Sequence, residues 1–463
     1  MWRSFFRYLT LHKVGAVLIE TGLVVVCVLA DTLNRPVAFS STEYAQWFLR
    51  ALFVALVFQV SLHLRDVYDF RDKPSTPEFL VRLGQALLLA SAALTTGHYL
   101  FSNLVQVAPI SSGARVLTLI SVFLTTWHIL LRMYFGIRSD RTKLLIVGTG
   151  DLAQTLAREI LRRPELGIAI CGFVDDKPHL VGVSLVNPKV IGLNADLKRI
   201  VAEMKINKLV VELQDRRGRL PIDDLLALKT RGTEIEEATS LYERLTGKIA
   251  IENLKPSWMI FNEGFEVSRW LIFQKQAVSV AVSCLLMLVF LPLLPVIALL
   301  IRLDSRGPIF HGQERVGQEG KIFRLWKFRS MYEGAERDTG PVWASADDAR
   351  VTRVGKYLRR MRLDELPQLY NVLKGEMTLV GPRPERPHFV KQLSSMIPFY
   401  DIRHSVKPGV TGWAQINYQY GNSVQDAIEK LQYDLFYIKN MSGLLDLVIL
   451  FNTAKTVLVR KGS

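Results

Sequence analysis

Four long apolar stretches in the first 136 residues place the strongest constraint on how this chain can fold. The stretches are residues 14–30, 44–64, 80–104 and 116–135. A helix of about 20 apolar residues crosses the ~30 Å hydrocarbon layer of a bilayer. The sequence therefore predicts a membrane α-helical N-terminal bundle with four spans, which we place at residues 1–140. A hydrophobic content of 49% over 463 residues agrees with a chain that is partly embedded in a membrane.

Basic residues flank these stretches unevenly and predict their orientation. Lys and Arg gather before the first stretch, between the second and third, and after the fourth, whereas residues 102–114 carry no charge. By the positive-inside rule, the N-terminus is cytoplasmic and the chain returns to the cytoplasm after the fourth span. We assign the formal charge of +15 to contact with anionic membrane lipids. Neither a zinc spacing nor a nucleic-acid-binding motif supports the rival assignment to nucleic acid.

Residues 141–255 have the pattern of an α/β Rossmann-like domain. An apolar strand at residues 143–148 leads into G-x-G-x-x-A at residues 148–153 and then into a helix. Further strands are predicted near residues 168–175 and 208–212, and further helices near residues 196–205 and 222–230. The glycine-rich turn can present a helix N-terminus to a phosphate, with Asp175 or Asp176 holding a ribose. A bound dinucleotide and a structural or regulatory domain remain as alternatives, and we favour the second because this motif alone is weak.

A fifth apolar run, residues 277–301, is interrupted by Pro292 and Pro295. A proline inside a helix removes a backbone hydrogen bond and bends the chain. Basic residues lie on both sides of the run, and residues 302–463 contain 25 Lys and Arg against 17 Asp and Glu. A re-entrant membrane helix that bends at the prolines keeps both basic flanks in the cytoplasm. A kinked fifth span is the alternative, and residues 256–276 are the predicted linker.

The C-terminal region carries short clusters of basic and carboxylate residues. The first is residues 359–367, with the sequence RRMRLDELP. Because proline is tolerated in the first helical turn, a helix is predicted to begin near Asp364 and to stop at Gly375. Asp364 is then a helix N-cap, or a carboxylate in an anion site formed by the helix N-terminus and the arginines upstream.

Three more clusters combine cations, aromatics and turn residues. Residues 381–387, GPRPERP, have prolines at alternate positions, which predicts a rigid extended loop that presents Arg383 to a phosphate. Residues 407–417, KPGVTGWAQIN, form a turn-rich loop with an aromatic side chain and two amides. Residues 327–331, KFRSM, place cations beside an aromatic, which is typical of a surface that contacts lipid headgroups. Spacing alone leaves phosphate chemistry and an interfacial surface as alternatives.

Together these clusters resemble the bacterial sugar transferase family of monotopic phosphoglycosyl transferases. The order GPIF, GxxFxxxKFRSM, LDELPQLYNVLKGEMTLVGPRP and KPGVTGWAQIN is similar from about residue 275 to the C-terminus. The spans and the α/β domain upstream look like those of the long-form members. The resemblance implies a monotopic α+β catalytic domain, residues 302–463, carried by the re-entrant membrane helix.

The resemblance places the family's catalytic Asp-Glu pair on Asp364 and Glu365. It implies that Asp364 attacks the sugar-linked phosphate of a UDP-sugar, releases UMP, and holds a covalent phosphosugar until polyprenyl phosphate accepts it. A Mg²⁺ cofactor is expected between Asp364 and the diphosphate. The other motif matches are expected to contact phosphate, namely Lys327, Arg359, Pro382 and Arg383, or the rest of the substrate, namely Gln415, Asn417, Asp434 and Asp446.

By this resemblance, the expected function is transfer of hexose-1-phosphate, with glucose or galactose favoured, from a UDP-sugar to undecaprenyl phosphate. This is the first membrane step of exopolysaccharide, capsule or O-antigen assembly. The expected location is the bacterial inner membrane, with the N-terminus, the middle domain and the catalytic domain in the cytoplasm, and the long form is compatible with a homodimer. One alternative is an inactive membrane scaffold, which the intact Asp364, Glu365 and Arg383 oppose. A nicotinamide-dependent sugar-modifying enzyme is opposed by the lack of a Tyr-x-x-x-Lys site in the middle domain.

The chain departs from the family pattern at two places. The re-entrant break is often Ser-Pro, whereas here Leu294 precedes Pro295, so the bend is expected to remain without a serine hydrogen bond. After residues 413–417 many members continue with Gly-Arg, whereas this chain continues with YQYG at residues 418–421. The residues that select the sugar are therefore left unassigned.

Overall fold

A computed structural model describes most of the chain as two compact units, which we treat separately. The described residues are 2–33, 41–68, 76–100, 110–137, 142–163, 166–212, 221–251, 265, 268–335, 348–418, 421 and 423–458. The first unit is Met1–Glu237 and the second is Ala238–Ser463. The end of the predicted third span (residues 101–104) and most of the predicted linker lie outside the described residues.

The first unit begins with four long helices, one for each predicted span. They are α1 (Trp2–Leu33), α2 (Ser41–Leu64), α3 (Thr76–Leu100) and α4 (Ile110–Ile137). Within the described residues, the segments Ala45–Leu64, Thr76–Tyr99 and Gly113–Leu131 are long and apolar enough to cross a membrane. Three of the four predicted spans are therefore confirmed as apolar helices of sufficient length, and α1 covers the first predicted span as a helix. A further segment of this kind, Arg269–Phe290, belongs to the second unit.

These helices bury an apolar core and one polar cluster. Val28, Phe58 and Ile120 are each 1% exposed in that core. Glu20 is also 1% exposed, and it accepts a hydrogen bond from Tyr68 and lies 3.3 Å from Nε2 of His128. Polar groups buried in an apolar bundle are costly unless they find such partners.

The rest of the first unit is a five-stranded parallel sheet with helices between its strands. In chain order the elements are β1 (Thr142–Val147), α5 (Asp151–Leu161), β2 (Ile168–Asp175), β3 (Val190–Leu193), α6 (Leu197–Met204), β4 (Lys208–Val211), α7 (Ile222–Thr230) and β5 (Glu234–Glu237). The strand order is β3-β2-β1-β4-β5. Residues 144–147 of β1 are completely buried, as expected for a central parallel strand. The predicted strands and helices of the middle region are confirmed.

The second unit begins with α8 and two helices that hold the fifth apolar run. These elements are α8 (Ala238–Thr246), α9 (Arg269–Phe290) and α10 (Leu293–Asp304). α9 ends at Phe290 and α10 begins at Leu293, so the helix is interrupted at the first of the two prolines, and a bend there stays a prediction. Pro295 lies in the first turn of α10, where a missing N–H leaves no helical hydrogen bond unmade. This proline therefore does not interrupt the helix.

The remaining elements build the C-terminal part of the second unit. They are β6 (Phe310–Val316), β7 (Ile322–Phe328), α11 (Arg353–Arg360), α12 (Gln368–Leu373), β8 (Thr378–Val380), α13 (Pro387–Met396), β9 (Gly409–Thr411), α14 (Trp413–Asn417), α15 (Val424–Lys439) and α16 (Gly443–Leu458). β6 and β7 form an antiparallel hairpin, and β8 pairs with β9 in parallel. The described residues thus give the second unit mixed α and β structure.

Candidate functional site

The Asp364–Glu365 pair lies in a single 3₁₀ turn between α11 and α12. The turn spans Leu363–Glu365, and Arg362 enters it with a φ of 56°. The predicted helix starts later than expected, at Gln368, directly after Pro367. Since Pro367 cannot donate a backbone hydrogen bond, the tighter turn precedes the helix. Asp364 is therefore inside this turn, and the expectation that it caps the helix is wrong.

Three cations surround the Glu365 carboxylate. Nη2 of Arg383 donates to its Oε1 at 2.7 Å, Nζ of Lys327 lies 3.6 Å away, and Nη1 of Arg362 lies 3.8 Å away. Burial would raise the pKa of Glu365, but Arg383, Lys327 and Arg362 together hold it well below its ordinary value. Glu365 is consequently a fixed negative charge that orders the basic side chains around it.

The Asp364 carboxylate has the opposite environment. It is 7% exposed, and no residue in the described part of the chain donates a hydrogen bond to it. Burial raises its pKa, and the charge of Glu365 adds to this effect against the opposing charges of Lys327, Arg359 and Arg383. Two neighbouring carboxylates with opposite pKa shifts usually have different chemical roles. Asp364 is the member of the pair whose oxygens remain open to a reaction partner.

Arg383 is presented by a loop that close backbone contacts make rigid. Gly381 donates to the Thr411 carbonyl at 2.8 Å, and Gly409 donates to the Pro382 carbonyl at 2.9 Å. A Cβ added to Gly412 would overlap the carbonyl oxygen of Gly381, so only glycine permits this approach. The loops at residues 381–387 and 407–417, which were predicted separately, are therefore joined through β8 and β9. Pro382 contributes its carbonyl to this contact.

A buried ion pair between Arg403 and Asp434 holds the backbone of the loop that carries Arg383. Nη2 of Arg403 donates to the Arg383 carbonyl at 2.9 Å and to Oδ2 of Asp434 at 2.8 Å, and Nη1 donates to the Tyr400 hydroxyl at 2.7 Å. Asp434 is 1% exposed. The structure thus corrects the expected substrate contact of Asp434, because burial and Arg403 occupy its carboxylate. No spacing pattern in the sequence links Arg403 to this loop.

Three other predicted residues have internal partners. Asp446 accepts hydrogen bonds from Lys275 at 2.9 Å and from Tyr437 at 2.7 Å, which places it in a support for α9 rather than beside Asp364. The Asn417 amide donates to the Trp413 carbonyl at 2.9 Å. The Gln415 amide donates to Val410 at 3.3 Å, while its buried Oε1 has no hydrogen-bond partner among the described residues.

In the first unit, the groups of the glycine-rich turn that would meet a ligand are already bonded to other residues of the protein. The amide of Gly150 donates to Oε2 of Glu212 at 2.7 Å, at the helix N-terminus where a phosphate would be expected. Thr149 donates to Oδ2 of Asp175 at 2.6 Å, and the other oxygen of Asp175 accepts from the amides of Asp176 and Lys177. Both the expected phosphate contact and the expected ribose acceptor are thus already paired.

Comparison with known proteins agrees with the arrangement in the second unit. The bacterial sugar transferase family matches residues 270–460. Over 434 residues the chain is 31% identical to the UDP-glucose:undecaprenyl-phosphate glucose-1-phosphate transferase of Escherichia coli (strain K12), covering 90% of this chain and 89% of that protein.

Two further relatives match shorter parts. The UDP-N-acetylgalactosamine-undecaprenyl-phosphate N-acetylgalactosaminephosphotransferase of Aeromonas hydrophila is 42% identical over 48% of this chain and 51% of its own length. The undecaprenyl-phosphate glucose phosphotransferase of Komagataeibacter xylinus is 34% identical over 68% of this chain and 58% of its own length. The chain thus spans little more than half the length of these two relatives.

Proposed function

Because this chain belongs to the bacterial sugar transferase family, we propose that it transfers hexose-1-phosphate from a UDP-sugar to undecaprenyl phosphate and releases UMP. The observation that carries the proposal is the contrast between Glu365, held by three cations, and Asp364, whose buried carboxylate is unpartnered among the described residues. Glucose or galactose is the proposed sugar, and the similarity to the Escherichia coli glucose-1-phosphate transferase along most of both chains supports glucose.

The proposed reaction has two displacements at one phosphorus atom. An oxygen of Asp364 attacks the phosphorus that carries the sugar, the bond to the bridging oxygen breaks, and UMP leaves with that bonding pair. An oxygen of undecaprenyl phosphate then attacks the same phosphorus and frees the Asp364 carboxylate. The product is undecaprenyl-diphosphate-sugar. Covalent catalysis of this kind divides one difficult displacement into two. The partly desolvated Asp364 carboxylate is suited to act as the nucleophile of the first displacement.

The cations around the pair have a distinct part in this scheme. Lys327, Arg359 and Arg383 lie close enough to affect the pKa of Asp364, so they also attract the negative diphosphate of the donor. Glu365 holds Arg383 at 2.7 Å, which fixes the planar guanidinium before substrate arrives. Preorganised charges of this kind stabilise a transition state without the cost of rearrangement.

We propose that a Mg²⁺ ion binds together with the donor. The described residues contain no group of three or more His, Cys, Asp or Glu side chains that could hold a metal, and Asp364 is the open carboxylate at the site. Mg²⁺ is commonly bound by one or two carboxylates together with substrate phosphates. We propose that Asp364 and the donor diphosphate share the ion, which would neutralise charge on the departing UMP.

We further propose that α9 and α10 form a re-entrant membrane helix. α9 is held to the catalytic part by polar contacts, since Lys275 pairs with Asp446 at 2.9 Å and Ser279 accepts from the amide of Leu379 at 3.2 Å. Ser283, one turn further on, is completely buried. Polar groups along this face are explained if the first half of α9 lies against the protein at the membrane surface.

α10 makes contacts with the same part of the chain. Ile297 and Ile301 are each 2% exposed and pack with Phe328 and Leu358. Arg329 donates to the Ile301 carbonyl at 3.4 Å. At 12 residues, α10 is about 18 Å long and too short to cross ~30 Å of hydrocarbon.

The tip between these anchored ends is apolar and exposed. Its outward side chains, with exposures of 49–69%, are Leu285, Leu288, Val289, Leu291 and Val296. A hairpin that enters the bilayer at this tip and returns would leave the catalytic domain on the cytoplasmic side of the inner membrane. UDP-sugars are available on that side.

The alternatives receive less support. In the first unit, Glu212 is bonded to the Gly150 amide that would meet a phosphate, and Asp175 is bonded to Thr149, which favours a structural or regulatory role for that Rossmann-like part. An inactive scaffold would have no reason to retain the Arg383–Glu365 pair beside an open Asp364.

The deciding experiment measures UMP release from a panel of UDP-sugars by the full chain in nanodiscs with Mg²⁺ and undecaprenyl phosphate. Asp364→Asn is measured beside the wild type. Release with one sugar by the wild type alone supports both the reaction and the nucleophile. No release with any sugar from the folded wild type would overturn the proposal, and equal release by Asp364→Asn would overturn the nucleophile.

A further inference from the structure

The segment from Ala238 to Ile251, which we name the strap, packs against the catalytic part of the second unit. It contains α8 and the residues that follow it, and it starts directly after β5 with no residue between. Leu241 is completely buried, and Ile249 and Ile251 are 2% and 4% exposed. The sequence alone had assigned these residues to the middle domain.

One end of the strap is fixed to α15 by a buried ion pair. Oε2 of Glu243 lies 2.7 Å from Nζ of Lys439, whose side chain is 1% exposed. The other Glu243 oxygen accepts from the Asn440 amide at 3.1 Å. Farther along, Ile249 donates to the Gln432 carbonyl at 3.1 Å. A charge buried to this extent is costly unless its partner is in place, so this contact specifies a single position for the strap.

The strap also holds Trp413, which begins α14 directly after the β9 loop. Nε1 of Trp413 donates to the Gly247 carbonyl at 2.9 Å. The indole stacks on Phe436 of α15 with centroids 5.6 Å apart. Gly247 has a φ of 67°, and an added Cβ would lie 3.0 Å from the indole ring. The strap therefore holds the indole by a hydrogen bond, and α15 holds it by ring stacking.

Two short routes lead from these contacts to Arg383. On the first, Gly412 precedes Trp413 and touches the Gly381 carbonyl so closely that a Cβ would overlap it. On the second, Asp434 of α15 holds Arg403 at 2.8 Å, and Arg403 donates to the Arg383 carbonyl at 2.9 Å. Both routes end at the backbone that presents Arg383 to Glu365.

We propose that Glu243 and Trp413 are positioning residues of the transferase site and act through Arg383. This inference rests on the proposed function. In the part of the chain that the structure describes, no hydrogen bond or ion pair joins the strap to Asp364 or Glu365. The strap instead fixes α15 and the Trp413 loop, and these two elements fix the Arg383 backbone. A looser strap would let the guanidinium move relative to Glu365 while the rest of the unit stays folded.

The kinetic test uses the full chain in nanodiscs. Trp413→Phe keeps the ring on Phe436 but removes the hydrogen bond to Gly247, and its matched control is Trp270→Phe, at an exposed tryptophan that stacks on Phe273. Glu243→Gln has the control Glu159→Gln, which removes a charge from α5. We expect kcat for UMP release to fall about fivefold in Trp413→Phe and in Glu243→Gln, with the donor KM within about twofold of wild type. Both controls should keep the wild-type kcat.

A double-mutant cycle separates positioning from a general structural effect. Trp413→Phe is combined with Arg383→Lys, which already weakens the fork-shaped contact with Glu365. If the strap acts through Arg383, Trp413→Phe should lower kcat less than about twofold in the Arg383→Lys background. Independent, multiplicative losses would overturn the proposal, as would an unchanged kcat in both Trp413→Phe and Glu243→Gln.

A readout that needs no turnover distinguishes this proposal from the proposed function. Hydrogen exchange of the peptides that contain Gly381 and Gly409 should speed up about fivefold in Trp413→Phe and stay unchanged in Trp270→Phe, because the amides of both glycines bond across the β8–β9 contact. Wild-type exchange in Trp413→Phe would refute the positioning role even in an enzyme that releases no UMP. Faster exchange in a chain that is inactive with every donor would support the strap and refute only the transferase.

Discussion

Replacement of Arg383 by methionine tests the central electrostatic contact of the site. Methionine keeps much of the apolar volume of the stem but removes the guanidinium that donates to Glu365 at 2.7 Å. Glu365 then remains buried, with its side chain 11% exposed, and keeps the more distant Lys327 at 3.6 Å. A buried carboxylate that loses its best partner destabilises the folded state.

The size of the effect follows from this burial. The Arg383 side chain is 24% exposed, so solvent screens the pair only in part, and a hydrogen bond between charged groups contributes about 1.5–3 kcal/mol. For a unit of this size, each kcal/mol shifts the unfolding midpoint by about 2–4 °C. Taking about 2 kcal/mol for this partly screened pair, we expect a fall of about 4–8 °C in Arg383→Met at pH 7.

The sign of the pH dependence is also fixed. The pKa of Glu365 is lowered in the folded state, so this pair contributes stability above the ordinary pKa of 4.5 and loses it as the pH falls below that value. The stability difference between wild type and Arg383→Met should therefore be full at pH 7 and shrink towards pH 4.

Thermal unfolding of the detergent-purified full chain measures this difference. Lys321→Met is the control, because Lys321 lies 2.8 Å from Glu319 but both side chains are mostly exposed, and exposed pairs contribute little. A midpoint of Arg383→Met within one degree of Lys321→Met, or a difference that grows at low pH, would refute this account of the pair.

Three further predictions use the same preparations. Asp364→Asn should abolish UMP release and leave the unfolding midpoint unchanged or higher, because it removes a buried charge that has no hydrogen-bonding partner; a clear fall would contradict the open carboxylate. Asp434→Asn should lower stability by about 3 kcal/mol, because Arg403 stays buried without its counter-charge; a surface-like effect under 0.5 kcal/mol would contradict it. Mn²⁺ should bind the wild type measurably only when UMP or donor is present, as followed by electron paramagnetic resonance; tight binding to the protein alone would show a metal site that Asp364 and phosphate do not explain.

Sequence reasoning recovered the elements that have strong local patterns. The apolar stretches, the parallel strands and the helix interruption at Pro292 follow from hydropathy, period and proline chemistry. The Asp364–Glu365 pair was located by motif, but the sequence placed Asp364 at a helix N-cap, because it did not show that Pro367 would delay the helix. The tighter turn was decided by local backbone geometry.

Long-range contacts were beyond the reach of the sequence. Arg403 lies 31 residues before Asp434, and no spacing rule joins the two or connects them with the Arg383 carbonyl. The same holds for Glu243 and Lys439, separated by 196 residues. In each case the tertiary fold supplies a buried partner, and only such a partner makes the charge tolerable.

The polar face of α9 has a consequence for how the chain is made. The partners of Lys275 in the catalytic part, Tyr437 and Asp446, are 162 and 171 residues further along. At about 5–20 residues per second, a ribosome needs roughly 10–30 s to reach them. During that interval the hairpin is already synthesised, but its lysine has neither partner. The contacts that hold α9 to the catalytic part thus form among the last events of biosynthesis, and a chain terminated before α16 would leave the ribosome with Lys275 lacking its Asp446 partner.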